Sequence, residues 1–246
     1  MKSMVVKTLG LVAMATAYSH ALFGIGATWA PAPNLEVGSD SGAVANGMSL
    51  NEKGVSGLNG LGLKLWLDFL PFIDIEASSN IQYGYYDLDI IQGGTVTPVK
   101  FDLGVPFVEG KPVFARIASD ISVLYPFLRF PPAVSILKVY AGGGLTHVMA
   151  SEVLTASFGK QAVDKAIAGG KSASTAAEVQ EILADAIKDE GLKNGVGFHL
   201  MAGVKAKVPI IPIAAFANAK YHFLSSMPSA TDANALTLEV GGALAF

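Results

Sequence analysis

Charged side chains recur in this sequence at alternate positions of runs that are otherwise apolar. Lys64, Asp68, Asp74, Glu76, Arg116, Asp120, Lys138, Lys205, Lys207, Lys220 and Glu239 all sit this way, six basic and five acidic. At period two, the charges share one face of a strand and the intervening apolar residues share the other. If the charged faces meet in a narrow interior, near-balance favours ion pairs, because an isolated buried charge is very costly. Such a network either plugs the interior or forms an ion pathway, and the plug is the expectation.

The second set of reactive types is histidine and serine. His147 and His222 fall near strand ends, with Ser151, Ser225 and Ser226 close in sequence. A Ser–His pair can transfer acyl groups. Yet His147 has the parity of the apolar face, and no acid is evidently placed to orient either ring. Both histidines are therefore expected at a rim, with no catalytic residue. The absence of cysteine removes thiolate catalysis and zinc–cysteine sites. No His-rich run and no calcium-type loop occurs, so neither metal nor cofactor is expected. Gly142-Gly143-Gly144 lacks the Lys-Ser/Thr that a phosphate loop needs. With 17 basic and 20 acidic residues, net charge −3 and no basic patch, nucleic acid is not a partner.

The elements that must carry these residues are strands. Apolar residues make up 51% and mean hydropathy is +0.46, yet no segment after the N-terminus offers the roughly 18 apolar residues of a spanning helix. Alternation instead marks eight strands, at 22–29, 61–69, 72–87, 113–125, 135–149, 195–207, 213–224 and 235–246. Leu61, Leu63, Leu65, Leu67 and Phe69 give the clearest one, with Trp66 on the opposite, inward parity. Gly24, Gly26, Gly142, Gly144, Gly197, Gly203 and Gly241 also fall on the inward face. They leave room either for bulky neighbours or for a small apolar ligand.

Three connections are short and Pro-bearing: Leu70-Pro71, Pro126–Pro132 and Val208–Pro212. They alternate with four longer ones, at 31–56, 88–112, 150–193 and 225–234. The first of these reads as irregular, and Val99–Val105 in the second as a strand extension or hairpin, which leaves ten strands as an alternative to eight. Within 151–193, Ala-rich helical spacing predicts two short helices, at 161–167 and 176–188, folded over the rim. Alternating short turns and long loops are the pattern of an up-and-down barrel crossing a membrane. The fold class expected is all-β: a closed antiparallel transmembrane β-barrel of eight strands with a helical external loop. A sheet in lipid must close, because hydrocarbon offers no partner to an open edge. Tyr83, Tyr85, Tyr125, Tyr221 and Trp29 lie near strand ends, where interfacial aromatics belong.

Residues 1–21 read as a signal peptide, with Lys2 and Lys7, an apolar stretch Leu9–Ala17, and small residues in Ser19-His20-Ala21. The remainder, 22–246, is one barrel domain. Its last segment alternates Leu236, Leu238, Val240, Leu244 and Phe246, with Gly242 interrupting. Here the sequence resembles the bacterial outer-membrane β-barrel proteins, in their small eight-stranded class. The resemblance implies that Leu244 and Phe246 belong to a C-terminal signal read by the barrel-assembly machinery. It also implies export to the outer membrane and outer-membrane lipid as a partner. The function expected is structural or surface-interacting, with a plugged, salt-bridged lumen. A channel or carrier for small or hydrophobic molecules is the alternative, and a rim-located lipid-modifying enzyme the third. A small apolar ligand or a surface partner is expected to meet the protein through 151–193.

Overall fold

A computed structural model of the protein describes residues 23–68, 72–100, 110–131, 135–208, 211–225 and 234–246. The N-terminal segment read as a signal peptide, the Leu70-Pro71 turn and most of 225–234 lie outside the described residues.

Eight strands form a closed antiparallel ring. They are β1 (Phe23–Trp29), β5 (Val55–Leu67), β6 (Asp74–Tyr85), β9 (Val113–Phe130), β10 (Leu137–Ser151), β11 (Leu192–Lys207), β12 (Ile213–Leu224) and β13 (Asn234–Ala245). Each pairs with the next, and β1 closes the ring by pairing with both β13 and β5. Register enforces the two-sided pattern. Leu61, Leu63, Leu65 and Leu67 point outward and are exposed, while Lys64 and Trp66 between them are fully buried. Ile25, Ile121, Val123, Leu145, Phe198, Leu200, Val240 and Leu244 extend the same apolar band around the outside. Exposed aliphatic residues on nearly every strand are unfavourable in water and favourable in hydrocarbon.

Tyr125 lies ten residues along β9 from Ala115, which stands opposite Tyr83. At a rise of ~3.4 Å and a tilt of ~40° the two aromatic levels are about 26 Å apart, the height of a membrane barrel's apolar belt.

The ring has the eight strands expected, but several connections differ from expectation. Pro126–Pro132 is not a turn, because β9 runs on to Phe130. The pairing slips between Val139 and Tyr140, so β9 carries one extra residue near Pro126. That bulge resets parity: Tyr125, Phe127, Leu128 and Phe130 are all exposed. Proline is tolerated here because pairing to β6 ends at Leu124 and leaves its missing N–H without a ladder partner.

The expectation of an irregular 31–56 is also corrected. β2 (Ala32–Val37) continues β1 along β5. β3 (Asp40–Ala45) and β4 (Met48–Glu52) join β7 (Leu88–Gln92) and β8 (Thr95–Pro98) in a separate four-stranded sheet. The polar connection 88–112 is therefore strand in its first part, and residues 101–109 lie outside the described ones. Two helices pack on this sheet, α1 (Ala156–Ala168) and α2 (Ala176–Glu190), both longer than their spacing alone predicted. Thr155 caps α1 by accepting from Phe158 N, and Thr175 with Glu178 forms a capping box on α2. Asp40 accepts from Ala156 N at 2.7 Å and ties β3 to the start of α1. The long connections thus build a folded cap at one end of the barrel.

Candidate functional site: the lumen and its cap

Ten of the eleven charged residues predicted to face inward meet in ion pairs; Arg116 does not. At the short-turn end, Asp68 accepts from Lys138, Lys205 and Lys207 at 3.1, 3.4 and 2.8 Å. Asp74 takes a second contact from Lys138 at 3.1 Å. Above this lies an aromatic layer of Trp66, Tyr140 and Phe216, all buried. Lys205 Nζ sits 4.2 Å from the Trp66 ring centre and Lys64 Nζ 4.4 Å from that of Phe216, distances at which ring faces attract cations. Gly24 makes room for the indole: a Cβ there would lie 2.1 Å from the Trp66 ring.

The middle layer centres on Glu239. Lys64 approaches it at 2.7 Å and Lys220 at 2.8 Å. Asn80 and Asn218 donate to it at 2.9 and 2.8 Å. Lys64 also reaches Glu76 at 2.7 Å, and Lys220 reaches Asp120 at 3.2 Å. Arg116 lies toward the cap, donating to Gln82 at 2.7 Å and Thr237 at 3.4 Å, with no carboxylate at ion-pair distance among the described residues.

Reading charges alone missed the neutral part of this network. His199, Ser122, Thr146, Asn80 and Asn218 share the inward parity, and that was the signal available for them. His222 is the main correction: it is not at an interfacial rim but fully buried, with Nε2 3.3 Å from Asp120. His147 does face outward, as its parity required. Ser122 Oγ lies 2.8 Å from His199 Nε2, and Thr146 bridges His199 Nδ1 to Asp120. The order serine, histidine, acid is that of an acyl-transfer relay, but every member is buried. Ser151 instead accepts from Ala115 N, and Ser225 donates to the carbonyl of Val196. Ser226 lies outside the described residues.

Asp120, His199 and His222 bring potential metal-ligand atoms within 4.8 Å of one another. Lys220 already holds the same carboxylate, and the eleven inward charges already include one more cation than anions. A divalent ion would add charge where the balance is already positive. The donor set fits a hydrogen-bond network better than a metal centre.

Toward the cap the lumen turns apolar. Phe114, Ala118, Val148, Ala150, Leu224 and Ala235 from the strands pack with Leu50, Leu88, Ile90 and Val153 from the loops. Val163, Val179, Ile182 and Leu183 of the helices complete the same core.

The whole barrel is similar to the crystal structure of the outer membrane protein OprG from Pseudomonas aeruginosa. The TM-score is 0.51 at 14% identity, over 91% of this chain and 95% of that one. The fold is that of the small outer-membrane β-barrels. Ail, the attachment invasion locus protein of Yersinia pestis, matches with TM-score 0.41 at 11% identity over 91% of this chain and 96% of that one. Neisserial surface protein A matches with TM-score 0.44 at 11% identity over 91% and 97%. No protein-family model and no curated protein matches the sequence.

Glu52, in the cap sheet, is buried with one carboxylate oxygen unpartnered among the described residues. Burial raises its pKa, against the lowering effect of hydrogen bonds from the backbone of Gly54 and Asp40, and the nearby Asp40 carboxylate raises it further. A raised folded-state pKa means that Glu52 supports the cap at low pH. That support is lost as pH rises through the folded value. Glu52→Gln is therefore expected to stabilise the cap near neutral pH and to flatten its pH dependence above the ordinary glutamate range. Hydrogen exchange of β4 amides across pH 4–8 checks this; an unchanged profile would count against it.

Proposed function

We propose that this chain is an outer-membrane barrel with a closed lumen, whose folded cap is a surface for contacts outside the cell. The observation that carries this reading is the stack inside the ring. Ion pairs on Asp68, the Trp66 layer, the Glu239 network and the apolar cap core follow one another along the lumen. Eight strands enclose a space about wide enough for side chains to fill, and these layers support a filled interior. The apolar band, the two aromatic levels and the likeness of fold to OprG support the outer-membrane position.

The cap supplies the contact surface. Between α1 and α2 runs a groove of about 450 Å³ with Phe158, Ala162, Ala166 and Ile182 on its walls and Lys165 and Asp189 at its rim. An apolar floor with a charged rim suits a small amphiphile or an apolar side chain of a surface partner. Assembly through the Leu244 and Phe246 strand end belongs to the same proposal.

Reconstitution into planar bilayers tests the closed lumen. The expected record has no discrete openings. Step conductances that survive repurification would overturn the plugged reading and leave the channel as the better one.

A further inference from the structure

One row of the outer wall does not belong in hydrocarbon. Ser79 on β6 stands opposite Ser119 on β9, and Ser119 stands opposite His147 on β10. All three point outward. The two hydroxyls bond each other at 3.1 Å, while His147 has no side-chain hydrogen bond to any described residue. Each lies within an apolar run: Ala77 and Ile81 flank Ser79, Ile117 and Ile121 flank Ser119, and Leu145 and Met149 flank His147. The row is four residues from the Tyr83 level along β9, about 10 Å deeper into the apolar belt at the usual rise and tilt. Polar side chains facing lipid are costly there unless something answers their hydrogen bonds.

The wall is also hollow at this point. A depression of about 480 Å³ is lined by the outward residues Ala77, Ser119, Ile121, Leu145, His147 and Val196, with the inward-parity positions Ser78, Asp120, Thr146 and Gly197 completing it; its open surface is largely apolar. Ala77 and Ser119 are small, so the surface recedes where the polar groups are.

We infer that this depression binds the acyl chain of an outer-leaflet lipid bearing a hydroxyl or ester oxygen, which hydrogen-bonds His147 and Ser119. The depth selects the occupant. Ten ångströms below the aromatic level the surrounding medium is acyl chain, and the polar group able to meet His147 is one carried on or near that chain. The apolar lining takes the chain and the row takes its oxygen. This inference rests on the outer-membrane reading.

The test uses the full chain folded in detergent micelles with isotope-labelled histidine. A β-type circular-dichroism spectrum that persists only with detergent checks the membrane reading separately. His147 resonances are assigned by their loss in His147→Leu. Titration with 3-hydroxytetradecanoate is expected to shift them saturably, and plain tetradecanoate to shift them much less. Ser119→Ala should weaken the hydroxylated ligand about threefold to tenfold, the effect of one lost hydrogen bond, while leaving the spectrum of the barrel unchanged. Equal shifts with both fatty acids would overturn the site. So would shifts that follow protein concentration without ligand, with Ser119→Cys crosslinking two barrels, since a second copy would then cover the row.

Discussion

Replacing Glu239 with leucine is expected to lower the barrel's unfolding free energy by about 3–5 kcal/mol, the range found when one partner of a buried ion pair is removed. Glu239 is the acceptor on which four inward donors converge: Lys64, Lys220, Asn80 and Asn218. Without it, Lys64 keeps one carboxylate, Glu76, and Lys220 keeps one, Asp120, with a hydrogen bond to Ser78; both carboxylates are buried. The two asparagine amides lose their acceptor outright, and orphaned buried donors cost about 1–3 kcal/mol each. Glu239→Gln keeps the shape but carries no charge, so it should cost less. A Lys64→Met, Glu239→Leu double variant should cost less than the sum of its single changes, because each removes a charge the other has stranded. Denaturant titrations in lipid vesicles, followed by fluorescence of the lumenal Trp66, provide the comparison. A loss below about 1 kcal/mol for Glu239→Leu would mean that water screens the network, and with it the closed-lumen reading fails.

The barrel was legible because a membrane imposes one rule on every strand. Apolar residues must face out for the whole crossing, so Leu61 to Leu67 and Ala235 to Phe246 declare themselves without knowledge of their neighbours. The parity that placed Trp66 inward placed Lys64 and Glu239 there too. Which lysine meets which acid was not legible. Lys64 and Glu239 are far apart in sequence, and their contact depends on ring closure and register. His222 carried the correct parity, but its nearness to a strand end suggested an exposed rim, and its approach to Asp120 across the lumen depends on register. The helices of the cap were legible, but its small sheet was hidden for a local reason. Its strands run four to six residues, and glycine, serine and asparagine separate them. Met48 and Leu50, like Leu88 and Ile90, do alternate with polar residues, but too briefly to outweigh that composition. What makes them strands is nonlocal: they have α1 and α2 to cover them.

That dependence sets up the second large effect. Leu183→Asp is expected to unfold the cap while the eight-stranded ring stays intact. Leu183 is fully buried between the helices and the small sheet, beside Leu50 and Gly159. Removing a buried leucine costs about 2–5 kcal/mol, and placing a carboxylate there adds a desolvation penalty. No single helix or short hairpin of this cap buries enough apolar surface to hold alone, so the loss should be cooperative across α1, α2, β3, β4, β7 and β8. The ring has its own closed ladder of backbone hydrogen bonds and its lumenal ion pairs, none of which passes through Leu183. Limited proteolysis should therefore cleave within 151–193 in the variant far faster than in the parent, and leave a barrel fragment that keeps its β spectrum in micelles. Leu183→Ala, with a smaller cavity effect, should show the same order of events at a milder level. If the ring and cap instead unfold together in both variants, Phe114, Val148 and Leu224 at the barrel mouth are holding the strands as well as closing the lumen. The cap would then be part of the barrel's folding unit, and a surface that changes independently of its anchor would no longer be tenable.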